Sequence, residues 1–209
     1  MKIHVPFLIL LLCVFVSLSC SGTPEKDQAA GREDVREITL PTEEYLVPEK
    51  RYTTSGLLFQ QKHRSLLLDL IEDINSIRIH QVREGTVGFY YDKKTDEKNR
   101  LYFGYDLSMH DSSGYSGDSY TERAKYVIRN NLKPLLDRSR QIHPVLAEDL
   151  VMGLVIGFYW QNGSNTETVT AWIDESDLLK YHSKGITFNE CMVRSIYTDQ
   201  QSRIIRLLQ

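Results

Sequence analysis

Cysteine is scarce, with three in 209 residues: Cys13, Cys20 and Cys191. The first two lie in or beside an apolar N-terminal stretch, so the rest of the chain holds a single thiol. That excludes a disulfide framework and the zinc patterns built on paired cysteines. An excess of positive charge is missing as well. Residues 51–209 carry 20 basic and 20 acidic side chains. Nucleic-acid binding and polybasic attachment to a membrane surface both need a positive footprint that this chain lacks. The histidines are His4, His63, His80, His110, His143 and His182. None forms a His-x-His or His-Glu-x-x-His spacing, so no metal site is expected, and no motif points to a cofactor.

What is present begins at the N-terminus. Residues 5–18 read VPFLILLLCVFVSL, an apolar run of 14 after a weakly basic start at Lys2 and His4. A bilayer-spanning helix needs about 20 apolar residues, so the run has signal-peptide length instead. It closes on Ser17-Leu18-Ser19-Cys20, with a small residue directly before the cysteine. Over its first twenty residues the chain resembles bacterial lipoproteins, although Leu18 stands two residues before the cysteine where the usual lipobox has three. The resemblance implies a signal peptide over 1–19 and lipid on Cys20. It also implies an extracytoplasmic protein lipid-anchored to the cell-envelope membrane, inner or outer membrane undetermined. An ordinary signal peptide cut nearby and a retained anchor are the competing readings. Two or three acyl chains attach a protein stably, whereas one binds only marginally.

Residues 21–50 hold eight acids against four bases and few large apolar groups before Tyr45. Such a segment cannot bury enough surface to offset its ordering entropy. It is expected to be an acidic tether over 20–50, spanning on the order of 30 Å.

Beyond it, 51–209 is expected to form one α+β domain. Leu66, Leu67, Leu70, Ile71, Ile74 and Ile77 recur at helical spacing, which predicts a helix from about Gly56 to Ile77. Val87–Tyr91 and Leu101–Leu107 alternate as strands around a polar turn. Ser119 with Glu122 is a capping-box signature opening a second helix, which Pro134 should kink or break. Met152–Trp160 and Val169–Ile173 predict a hairpin turned by Asn162-Gly163. A short helix over about Ser176–His182, stopped by Gly185, precedes another opened by Thr187 and Glu190. The halves 56–107 and 119–174 resemble one another: Val87–Tyr91 matches Ile156–Trp160, and Leu67-Leu68-Asp69 matches Leu135-Leu136-Asp137. The expected architecture is therefore a tandem of helix–strand–strand units. They should form an antiparallel sheet with helices on one face, plus short C-terminal helices.

Catalytic signatures are weak. Gly114-Tyr115-Ser116-Gly117 falls short of a nucleophile elbow because Asp118 takes the final glycine's place. Gly117-Asp118-Ser119 is explained by helix capping. His110-Asp111, with Asp106 nearby, reads as a solvated group at a strand end. Cys191 shares a helical face with Phe188, Met192 and Ser195, which makes it a core thiol. No catalytic residue is assigned.

The remaining feature is a surface. If Phe89, Phe103 and Phe158 point at the helices, the other sheet face carries Tyr90, Tyr102 and Tyr159 with Gly88, Gly104 and Gly157 between them. Tyrosine contributes rigid area and a hydroxyl, which suits binding. The covering alternative is that Tyr45-Leu46-Val47 or the C-terminal helices lie on this face. The favoured function is a membrane-tethered extracytoplasmic binding or assembly module. Its partners would be the membrane, through Cys20, and a protein or envelope component, with no nucleic acid. A small hydrolase using the 106–119 loop is the alternative.

Overall fold

The computed structural model describes residues 43–52, 54–91, 100–110 and 119–207. The signal-peptide stretch, Cys20, most of the acidic segment, Asp111 and the Gly114–Asp118 motifs lie outside the described residues. Among the described residues no helix is long and apolar enough to cross a membrane.

Six α-helices and seven strands alternate along the described chain. The order is α1 (Thr54–Lys62), α2 (Arg64–Asn75), β1 (His80–Val82), β2 (Gly88–Tyr91), β3 (Leu101–Met109), α3 (Tyr120–Arg138) and α4 (His143–Leu146). Then follow β4 (Val151–Asn162), β5 (Asn165–Asp174), α5 (Glu175–His182), α6 (Phe188–Arg194), β6 (Ile196–Asp199) and β7 (Ile204–Ile205). The fold is α+β. Its single sheet runs β1-β3-β4-β5-β6-β7, and β2 shares the outer edge of β3 with β1. All pairs are antiparallel except the central one, where β3 and β4 run parallel through the α3 crossover. Strands β2 and β4, equivalent in the proposed sequence repeat, therefore run in opposite directions.

The register decides the faces. Phe89 pairs with Phe103, Phe103 with Leu154, and Leu107 with Phe158. Their side chains share the face packed by Leu67, Leu70, Ile71 and Ile74 of α2 and by Val127, Ile128, Leu132 and Leu135 of α3. Phe89 meets Phe59 and Phe103 at ring-centroid distances of 5.7 and 5.8 Å. Alternation in β2, β3 and β4 thus buries one face, as period-two patterning requires. Cys191 is fully buried in this core, and burial pushes its thiol up to about 11.

Several local expectations need revision. The first helix is broken at His63, which sits between α1 and α2 with non-helical backbone. The break lets His63 Nε2 reach Glu148 Oε1 at 2.6 Å. Pro134 lies inside α3 without ending it. The carbonyl it cannot serve belongs to Asn130, which is exposed, so water can take the place of the missing donor. Ser119 accepts the Glu122 N–H at 3.3 Å, which is one half of the expected box. Thr187 and Glu190 form both halves.

At the β4–β5 turn Asn162 pairs with Asn165, leaving Gly163 and Ser164 as the central residues. Gly163 has φ +61°, and Ser164 keeps an ordinary negative φ. This is the type II′ sign pattern, with glycine first, rather than a type I′ Asn-Gly pair. After α5 the left-handed residue is Lys184, at φ 63°, instead of Gly185. The Lys184 N–H donates to the Tyr181 carbonyl at 3.0 Å and the Gly185 N–H to Lys180 at 2.7 Å, a complete Schellman motif.

The domain also takes in residues assigned to the tether. Leu46 and Val47 are buried, and the Val47 N–H donates to the Val87 carbonyl at 2.9 Å. Tyr45-Leu46-Val47 is the one apolar cluster in that acidic stretch, and it can repay its ordering by burial.

Candidate functional site

The second sheet face carries the even-numbered residues of β2 and β3 and the odd-numbered residues of β4. Tyr90 pairs with Tyr102, and Tyr159 pairs with Ser108 and Thr168. Tyr90, Tyr102 and Tyr159 therefore emerge on one face, as the alternation predicts. They line a cavity of about 400 Å³ together with Asp106, Val155, Thr170, Trp172 and Thr198. That volume lies within the usual range for small-molecule sites.

The glycines do not leave empty room between the tyrosines. A Cβ on Gly88 would overlap the Tyr52 hydroxyl and Val47. One on Gly104 would overlap Val155, and one on Gly157 would overlap the Asp106 carboxylate. The covering segment is thus Val47 with Tyr52, and it closes only the Gly88 end. Glycine is needed at 157 because the carboxylate of Asp106 leans across the neighbouring strand.

One wall is a corner of two rings. Tyr102 and Trp172 meet edge to face, with centroids 5.2 Å apart and planes at 87°. The Tyr102 hydroxyl donates to Asp174 Oδ1 at 3.0 Å, and Trp172 Nε1 donates to Thr198 Oγ1 at 3.1 Å. The facing wall is Tyr159, whose hydroxyl donates to Asp106 Oδ2 at 3.2 Å. The Arg83 guanidinium lies 4.2 Å above the Tyr159 ring centroid, a cation–π contact. Tyr90 folds back, its hydroxyl donating to the Thr86 carbonyl.

Asp106 is the polar centre of the cavity. Burial raises its pKa above the ordinary carboxylate value, opposed by the Tyr159 hydrogen bond and the charge of Arg83. Burial and this same carboxylate push the Tyr159 phenol up to about 12. Among the described residues no donor reaches Asp106 Oδ1, and no Arg83 nitrogen forms an ion pair with the carboxylate. Sequence reading placed Asp106 beside His110 and missed its role in the cavity. Its even parity with Tyr102 was the available signal. Trp172 was missed as well, because β5 was read only as a return strand.

The loop weighed for hydrolysis is not assembled among the described residues. His110 is exposed at the end of β3, and the Ser119 hydroxyl is engaged in capping α3. No hydrogen bond joins the two. Nor do the described residues contain three metal-ligating side chains grouped to hold an ion.

A second polar cluster lies in the core-facing half. His143 Nε2 is 2.6 Å from His182 Nδ1, and His182 Nε2 is 2.8 Å from the Leu136 carbonyl. The histidines are 39 residues apart, so no sequence spacing could reveal the pair. No protein-family model matches the chain, and neither a curated protein nor a solved structure matches it.

Proposed function

We propose that this chain is an extracytoplasmic lipoprotein, tethered through lipid on Cys20, whose α+β domain is a binding module. The observation that carries the binding reading is the cavity bounded by Tyr102, Trp172, Tyr159 and Asp106 on the sheet face opposite the helices. Its aromatic walls and single recessed carboxylate have the composition of a ligand site, largely apolar with few convergent polar groups. The signal-peptide-like run ending at Ser19-Cys20 supports the location. The acidic residues between Cys20 and Tyr45 would hold the domain off anionic headgroups.

Two experiments test the parts separately. Metabolic labelling with a fatty-acid analogue marks the wild type and not Cys20→Ala, and equal labelling of both removes the anchor. In-cell crosslinking followed by capture of the native lipoprotein identifies partners. A Tyr102→Ala/Trp172→Ala variant loses them while folding normally. An unchanged partner profile in that folded variant removes the cavity as the binding site.

A further inference from the structure

We infer that the cavity takes a small organic cation, a protonated amine whose ammonium group faces Asp106 Oδ1 and whose apolar part fills the corner of Tyr102 and Trp172. This rests on the binding-module reading above and assigns the ligand class.

Most polar groups on the aromatic rings of the cavity are already committed. The Tyr102 hydroxyl is spent on Asp174, that of Tyr159 on Asp106, that of Tyr90 on Thr86, and the indole N–H of Trp172 on Thr198. These four ring groups therefore offer a ligand no free donor. What faces it is aromatic surface, the neutral side chains of Thr170, Thr198 and Ser202, and one carboxylate oxygen, Asp106 Oδ1, which no described residue satisfies. A recessed carboxylate with an unfilled oxygen is poorly compensated, and a cation supplies both the charge and the donor. Arg83 does not fill this place: its guanidinium is held over the Tyr159 ring and makes no ion pair with Asp106. Aromatic faces attract cations through their quadrupole, and the Arg83–Tyr159 contact shows one ring of this wall already used in that way.

The shape favours a compact cation over a sugar. Rings at 87° make a corner, whereas a sugar ring would stack on a flat platform. A sugar hydroxyl could donate to Asp106 but would bring no charge of its own to the carboxylate. Gly157 belongs to the same arrangement. A side chain there would displace the carboxylate from the strand face where a ligand can reach it.

The test titrates the folded protein with benzylamine, with its neutral isostere benzyl alcohol, and with an N-acetylglucosamine oligomer. Binding is followed by calorimetry and by the fluorescence of Trp172. Benzylamine is expected to bind at least about tenfold more tightly than benzyl alcohol. Asp106→Asn, with an unchanged urea midpoint, should remove that preference, and Trp172→Phe should weaken benzylamine binding and abolish the fluorescence response. Equal binding of amine and alcohol, tighter binding of the sugar, or an amine preference surviving in Asp106→Asn each overturns the cation inference. If no probe binds yet Tyr102→Ala/Trp172→Ala loses its cellular partner, the cation inference fails and the binding module stands. If no probe binds and the partner profile is unchanged, both fail.

Discussion

His143 and His182 share a hydrogen bond of 2.6 Å between Nε2 of the first and Nδ1 of the second. The Leu136 carbonyl, 2.8 Å from His182 Nε2, can only accept, so that nitrogen carries the proton. His182 Nδ1 is then the acceptor and His143 Nε2 the donor. The pair ties α5 to the α3–α4 corner, with His182 accepting at Nδ1 as a neutral imidazole. Burial lowers the His182 pKa, and the charges of His143 and Arg140 add to this against the Leu136 hydrogen bond and Asp137.

A pH dependence follows. The folded pKa of His182 lies below its unfolded value near 6.5, so the unfolded chain binds the extra proton first. Stability is therefore full above about pH 6.5 and falls as pH drops from there through the folded pKa. His80, also lowered by burial, acts in the same direction. Urea unfolding at pH 7.5 and 5.5 should show the lower midpoint at 5.5, and His182→Gln should reduce the difference. An equal difference in that variant would assign the effect to His80 alone.

The end of α5 offers a stability test. Lys184 holds a left-handed backbone, which costs an L residue with a side chain about 1–2 kcal/mol relative to glycine. Lys184→Gly should raise stability by about 0.5–1 kcal/mol. Gly185→Ala should stay within about 0.5 kcal/mol, since a Cβ there would lie 3.4 Å from its nearest neighbour. A larger loss at Gly185 than gain at Lys184 would contradict the placement of the cap.

The core face is tested at two phenylalanines. Phe158 is fully buried and Phe89 is 4% exposed. Each Phe→Ala should cost about 3–5 kcal/mol by urea unfolding. A loss below about 1 kcal/mol at either site would mean its strand faces the other way.

Two glycines of the second face should respond differently. At Gly104 the added methyl meets the Val155 backbone carbonyl, which cannot move aside, so Gly104→Ala should destabilise by about 1–3 kcal/mol. At Gly157 it meets the end of the Asp106 side chain, which can rotate. Gly157→Ala should therefore cost less in unfolding and more in ligand or partner capture. Equal destabilisation of the two variants would show that Asp106 is fixed where it lies.

Local sequence carried much of the architecture. Alternation in 87–91, 101–107 and 152–160 was enough to place Phe89, Phe103 and Phe158 on one face and Tyr90, Tyr102 and Tyr159 on the other. A strand's side-chain period does not depend on its neighbours. Thr187 with Glu190 was readable because both halves of a capping box lie within one helical turn. Other features depended on chain segments far apart. Whether Pro134 would break its helix turned on the exposure of Asn130, and whether Leu46 and Val47 belonged to the tether turned on the free edge of Val87. The parallel β3–β4 pair, the Tyr102–Trp172 corner, the Asp106 carboxylate leaning over Gly157 and the His143–His182 bond all join residues 39 to 70 positions apart. Sequence periodicity records which way each side chain leaves its own strand or helix. Which distant side chain it then meets is set by strand order and register, and these only the packed sheet decides.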